Sequence, residues 1–319
     1  MKDSMAARIS ILGVGFIGRN LLNSYVGSGH DIRVLDRKPC PDEFCKNVHW
    51  TQGSLEELNK VHHVIKGADV VFHLISSTVP GDTADENEEI MNNVTQTINL
   101  LKLCVEENVQ RIVFISSASV YGIKHDLPIS ETASTDPISS HGIHKLTIEK
   151  YLQLYKYKYG LDSKIMRLSN PYGWGQDVFG RQGLISITVG KILTGDPILI
   201  MGDGSAIRDF VYIDDVVSAC HLLAETNSDE MLFNIGSGIG MSITDVFCEL
   251  QKLTKAVLNI HHTETRKNDI SASILDIRKA KNALGFEAKM PFKNGLKRTL
   301  SLYEKRYPKL QETLVLNDT

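Results

Sequence analysis

Apolar residues recur along the chain in short continuous runs, separated by segments with helical spacing. "RISILGVG" is an apolar run ending in glycines, and "FIGRNLLNSYVGSG" follows it with helical spacing and a glycine stop. "DIRVLDR" is a second run ending in an acid, "NVHWTQG" a weaker third, "LEELNKVHHVIKG" a helix and "ADVVFHLI" a strong strand. "ENEEIMNNVTQTINLLKLCVEEN" predicts one long helix, "VQRIVFISS" a strand, residues 139–159 a helix and "DSKIMRLSN" a further strand. Continuous apolar strands alternating with helices imply a parallel sheet covered on both faces, and right-handed crossovers make it doubly wound.

The second half changes character. "GKILTGDPILIMGDGSAIRDFVYIDDVVSACHLLAE" mixes short strands, turns and one helix, while "SITDVFCELQKLTK" and "DIRKAKNALGF" read as further helices. The expected organisation is α/β, with residues 1–170 as one domain and 171–319 as a smaller C-terminal α/β domain, some of whose segments return to the sheet.

A chain of 319 residues is long enough for a sizeable core. Its net charge of -3 argues against a nucleic-acid binder, which usually carries a basic face. The five cysteines (Cys40, Cys45, Cys104, Cys220 and Cys248) are odd in number and lack metal-like spacing, so reduced thiols in a cytoplasmic protein and no metal site are expected. "MKDSMAARISILGVG" shows no signal-peptide pattern, and no apolar run reaches the roughly 18 residues of a membrane span.

Gly13, Gly15 and Gly18 form G-x-G-x-x-G between the first strand and the first helix. Such glycines let backbone approach a pyrophosphate, whose charge is met by the N–H groups of the helix start. Asp36 closes the second strand 21 residues after Gly15, where its carboxylate suits a ribose diol and repels a 2′-phosphate. Strand, turn, helix and acid together point to a Rossmann dinucleotide site selective for NAD, although Arg37 and Lys38 keep NADP open.

At this point the chain resembles the extended short-chain dehydrogenase/reductase family, in its nucleotide-sugar epimerase/dehydratase branch. The resemblance runs from about Arg8 to about Thr299 and rests on ordered blocks. They include "GVGFIGRNLL", "GADVVFHL", "NNVTQTINLLKLC", "RIVFISSASVYG", "RLSNPYGWGQ", "GDGSAIRDFVYIDDVVSA" and "FNIGSG". It implies an NAD-binding domain, a C-terminal domain for a nucleoside-diphosphate sugar (UDP-linked by preference), and a Ser/Thr–Tyr–Lys trio. Ser117 and Lys145 fall on two trio positions, and His141 stands where the family has tyrosine. No lysine in the chain has a tyrosine four residues before it, so a slipped register does not restore the motif. The resemblance also implies that Phe16, Ile17, Leu74 and Asn93 border the dinucleotide, with Lys145. Ser119, Asn170, Arg208 and Arg266 would meet the substrate, and Ser273 would lie beside the sugar's C2 substituent. Ser54 stands where an adenine-contacting acid is common.

Dehydratases of the family need an acid pair after the Ser/Thr, and here those positions are Ala118 and Ser119. The expected reaction is therefore 4-epimerisation of a UDP-hexose or UDP-N-acetylhexosamine. A reductase, a dehydrogenase, a decarboxylase or a weakly reacting NAD and nucleotide-sugar binder are the alternatives. His141 and Lys145 are four residues apart and share a helix face. A metal site at His141 and His144 lacks thiol or carboxylate partners in sequence. A working base is open, since imidazole's ordinary pKa of about 6.5 suits neutral pH. Its ring ends roughly 2 Å short of a phenol oxygen, which calls for a bridging water. Apolar residues on the two helices (Leu100, Leu101, Leu103, Leu152, Leu154 and Tyr155) suggest a homodimer, as the family forms.

Overall fold

The computed structural model describes residues 6–77, 85–254, 258–264 and 270–308. Its first half runs β1 (Arg8–Leu12), α1 (Phe16–Tyr25), β2 (Asp31–Asp36), β3 (His49–Gln52), α2 (Leu58–Ile65), β4 (Val70–His73), α3 (Glu86–Glu89), α4 (Gln96–Glu106), β5 (Arg111–Ser117), α5 (Ser140–Tyr159) and β6 (Asp162–Leu168). The second half runs β7 (Asn170–Tyr172), α6 (Leu184–Thr194), β8 (Ile198–Met201), β9 (Ile207–Tyr212), α7 (Ile213–Glu225), β10 (Leu232–Ile235), β11 (Gly240–Ser242), α8 (Ile243–Thr254), β12 (Ile260–Thr263), β13 (Ala272–Ser273), α9 (Arg278–Leu284) and α10 (Phe292–Arg306).

Among the described residues, seven parallel strands lie in the order β10-β6-β5-β4-β1-β2-β3. The winding reverses between β1 and β4, the switch point where open α/β sheets bind ligands at their carboxyl edge. Successive strand residues face opposite sides of the sheet, which explains why the runs are apolar throughout. Ile11, Val34, Phe72 and Val113 pack with Leu21 and Leu22 of α1 and Val216 of α7. Leu12, Leu35, Val71 and Ile112 pack on the other side with Val61 of α2, Leu101 of α4 and Leu152 of α5. Each such side chain contributes about 1.5–3 kcal/mol through burial. A smaller sheet, β11-β9-β13 with β7 on β9, forms beside the carboxyl edge of β6 from the second half.

Three features differ from the sequence reading. The single helix expected over 86–108 is interrupted by a π turn at Ile90–Thr95, which buries Asn93 and Val94. The turn, IMNNVT, contains no glycine or proline, so the sequence carries no break signal there. Helices α6 and α10 were not expected; α6 is rich in β-branched residues and reads as strand. Finally, Leu100, Leu101, Leu152 and Tyr155 lie in the protomer's own core and leave no surplus for a partner. Of the residues named for a dimer face Leu154 is exposed; Ile143 on the same helix, and Ile90 and Met91 at the start of the other helical segment, are exposed as well. Among the described residues, no helix is long and apolar enough to cross a membrane.

Candidate active site

The glycine turn is built by three different requirements. Gly13 has φ +96°, and a Cβ there would also lie 2.8 Å from Ile75 Cγ1. A Cβ on Gly18 would lie 2.0 Å from the Gly13 carbonyl oxygen, so the third glycine lets α1 close onto the turn. Leu74 Cδ1 sits 3.2 Å from the same point and walls that contact. Gly15 is different: it has an ordinary φ of -73°, and its Cβ direction meets nothing within 4 Å. Open space at the first turn of α1, where Phe16 and Ile17 begin the helix, is the room a pyrophosphate needs over free N–H groups. The turn therefore fits a dinucleotide. Asp36 also holds backbone, since Oδ2 accepts the Val14 N–H at 2.6 Å and Oδ1 accepts the Lys38 N–H at 2.8 Å. A carboxylate has about four acceptor positions, so two remain for a ribose diol. Arg37 and Lys38 are exposed, and Ser54 Oγ accepts the Glu56 N–H at the start of the α2 segment.

Asn93 is buried, and its amide clamps the segment after β4. Its Oδ1 accepts the Ser77 N–H at 2.9 Å, and Nδ2 donates to Ser77 Oγ and the Glu89 carbonyl. The π turn aims the amide inward, and π turns are frequent at functional sites.

Ser117 ends β5, and its Oγ accepts the Ser119 N–H at 3.1 Å to cap a single 3₁₀ turn over Ala118–Tyr121. Ser119 Oγ is buried without a hydrogen-bond partner among the described residues. The start of α5 lies directly on this turn, since a Cβ on Gly142 would be 2.7 Å from the Ser119 carbonyl. His141 is thereby buried beside the 3₁₀ turn, one helical turn before Lys145. Lys145 Nζ donates to the Ile115 carbonyl at 2.8 Å and lies 4.7 Å from the Phe114 ring centroid. Burial pulls its pKa down to about 8, against the opposing pull of the Glu149 carboxylate. Ser117, His141 and Lys145 thus converge at the carboxyl end of β5.

Sequence reasoning missed two groups around them. His73, at the carboxyl end of β4, is fully buried, and burial followed by the Lys145 cation presses its pKa to about 3. Its Nε2 bonds Thr97 Oγ1 at 2.8 Å, and that hydroxyl donates to the Asn93 carbonyl, so the imidazole proton sits on Nε2. Glu149, one turn beyond Lys145, accepts Arg167 Nη2 at 2.6 Å and Ser116 Oγ at 2.5 Å in full burial. The available signal was position: a histidine ending a strand, and an acid spaced i+4 from the lysine.

The second-half residues gather on the small sheet. Arg208 of β9 pairs with Ser273 of β13, and Asn170 of β7 pairs with Phe210. Asn170 Nδ2 donates to the Asp209 carbonyl at 3.1 Å. Both acids near Arg208 in sequence are engaged elsewhere: Asp209 by Ser237, Gly238 and Leu275, and Asp214 by Arg298. Arg266 lies outside the described residues.

A family model described as the NAD dependent epimerase/dehydratase family matches residues 9–236. A putative UDP-glucose 4-epimerase of Methanocaldococcus jannaschii is 31% identical over 298 residues, covering 91% of this chain and 95% of that one. The dTDP-4-dehydro-6-deoxyglucose reductase of Escherichia coli is 31% identical, covering 89% and 93%. The crystal structure of UDP-glucose 4-epimerase with UDP-glucose from Thermotoga maritima superposes with a TM-score of 0.87 at 31% identity, over 94% of this chain and 99% of that one.

Proposed function

The chain belongs to the NAD dependent epimerase/dehydratase family and its cofactor is NAD; from this premise we propose that it interconverts C4 epimers of a UDP-hexose or UDP-N-acetylhexosamine. One observation carries the choice of reaction. The turn after Ser117 offers Ala118 and Ser119 where elimination of water would need an acid pair, while Ser117 and Lys145 remain at the strand's end. In this reading residues 1–170 hold NAD and residues 171–319 hold the nucleotide sugar. NAD supplies reversible hydride acceptance at C4. Ser117 and the group at position 141 hold and move the C4 hydroxyl proton, and the Lys145 cation favours the deprotonated form of its neighbour. Arg208, with Asn170 and Arg266, anchors the diphosphate so that the sugar alone turns over; the guanidinium fork suits phosphate oxygens. Ser273 beside Arg208 leaves room for an N-acetyl group at C2. The test is a panel of UDP-sugars incubated with the protein and separated by chromatography. Paired epimers are expected, and recovery of the starting sugars alone from the whole panel contradicts the reading.

Two further outcomes follow. Dinucleotide released by denaturation is expected to be NAD, because Asp36 denies a 2′-phosphate its place; mainly NADP would mean that Arg37 and Lys38 dominate. Light scattering at micromolar concentration is expected to give a dimer mass. Ile90, Met91, Ile143 and Leu154 supply the apolar face, and a monomer mass contradicts it. The cysteines are free, which fits a reducing cytoplasmic setting.

A further inference from the structure

The loop between β2 and β3 carries two cysteines whose sulfurs converge on one carbonyl. Cys45 Sγ lies 3.3 Å from the Pro41 oxygen, and Cys40 Sγ lies 3.5 Å from the same oxygen. Cys45 Sγ also reaches the Cys40 carbonyl at 3.5 Å. Cys45 is exposed and Cys40 half-buried, whereas Cys104 and Cys220 are sealed in the core.

We propose that Cys40 and Cys45 are a thiol modification site which small-molecule disulfides oxidise to an intraloop disulfide, and that this closure loosens the protein's hold on NAD.

The chemistry balances. The exposed Cys45 loses its proton to solvent, and its thiolate attacks one sulfur of the small disulfide, forming a mixed disulfide and releasing one thiolate. Cys40 then loses its proton and attacks Cys45 Sγ, breaking the mixed disulfide and releasing the second thiolate, which both protonate. Two protein thiols lose two electrons and two protons, and one small disulfide becomes two thiols. The order follows from the surroundings. Burial, then the neighbouring Cys45 sulfur and the Asp42 charge, push Cys40 up to about 12. Capping Cys45 removes the Cys45 charge that opposes a Cys40 thiolate, while burial and the Asp42 charge remain, so Cys40 attacks second.

Coupling to NAD follows from what the loop touches. It leaves the sheet directly after Asp36, and its first residues are pinned by Trp50 Nε1 on the Lys38 carbonyl and Gln52 Nε2 on the Arg37 carbonyl. Between the cysteines, Phe44 is 1% exposed in the main core, and Glu43 accepts Arg19 Nη2 of α1 at 2.5 Å. A disulfide holds the sulfurs about 2.05 Å apart and removes both S–H donors, so the Pro41 and Cys40 carbonyls lose these thiol contacts and the turn between the cysteines repacks. That movement pulls on Asp36 at one end of the loop and on α1, whose first turn faces the pyrophosphate, through Glu43.

The experiment treats the reduced full chain with glutathione disulfide and reads both peptide masses and NAD affinity by protein fluorescence. The expected result is loss of two hydrogens in a peptide linking positions 40 and 45, with NAD bound roughly tenfold more weakly and restored by dithiothreitol. Cys45→Ser should keep the reduced-form affinity after the same treatment, and Cys40→Ser should stop at a glutathione adduct on Cys45. The proposal is overturned if both thiols persist while Cys248 is modified, or if the disulfide forms and affinity stays unchanged. Failure of the untreated protein to bind NAD would instead count against the cofactor.

Discussion

Replacing His141 with tyrosine is expected to raise epimerase turnover roughly a hundredfold, the scale of one positioned acid–base group. The site around position 141 is otherwise complete. Ser117 caps the 3₁₀ turn, Gly142 brings α5 into contact with that turn, and Lys145 is held by the Ile115 carbonyl. Only the reach of the side chain at 141 is short. A phenol oxygen would extend about 2 Å further than an imidazole nitrogen, most of the margin of a direct hydrogen bond. The neighbouring Lys145 cation would lower its pKa and make it the better base. UDP-sugar affinity should barely move, since Asn170 and Arg208 lie on a separate small sheet. Turnover across pH, measured for both proteins, checks this. Equal or lower activity in His141→Tyr, with a histidine-like acidic limb in the original protein, would mean that His141 is an adapted base working through a water.

Lys145→Met is expected to lower turnover by about 10²–10⁴-fold while leaving the fold in place. The lysine is fully buried, and burial pulls its pKa down to about 8, so the protein carries the cation there at a disadvantage. An apolar side chain of similar length removes that disadvantage, although the Ile115 carbonyl loses its 2.8 Å donor. The pH dependence has a definite sign. The cation is present below about pH 8 and lost above it, so activity of the original protein should fall on that side. Between about pH 8 and lysine's ordinary value near 10.4 the folded state binds fewer protons than the unfolded chain. Folding stability from this residue therefore rises with pH through that window. Denaturant titrations at the two ends should show the rise in the original protein and its absence in Lys145→Met. A variant that melts at once would show that Lys145 holds the fold rather than the chemistry.

The parallel sheet and the dinucleotide turn were legible because each rests on a local rule. Runs such as "ADVVFHLI" must be buried on both faces, and Gly13, Gly15 and Gly18 stand where side chains would collide or block a ligand. Ser117 and Lys145 were singled out by the family resemblance, which the blocks around them carry. The gathering of Asn170, Arg208 and Ser273 was implied by the family resemblance alone, because β7, β9 and β13 are brought together by long-range pairing. Other features depend on tertiary contacts that leave no period. The π turn accompanies the hydrogen bonds of Asn93 to Ser77, a contact between segments far apart in the local pattern. The second role of Asp36, holding the Val14 N–H, appears only once β2 lies beside β1. Apolar content alone misassigned Leu100, Leu101, Leu152 and Tyr155, since a helix packed between a sheet and another helix needs more than one apolar stripe.

The central claim is that the sugar is oxidised at C4 and receives the same hydrogen back on its other face. It is tested most directly by supplying a UDP-hexose labelled with deuterium at C4, to the original protein and to His141→Tyr, and following the label by NMR. The account predicts a C4 epimer that keeps its deuterium with no exchange into water, formed faster by His141→Tyr. An epimer that has lost the label to solvent, or no inversion by either protein while both bind NAD and the nucleotide sugar, would contradict it.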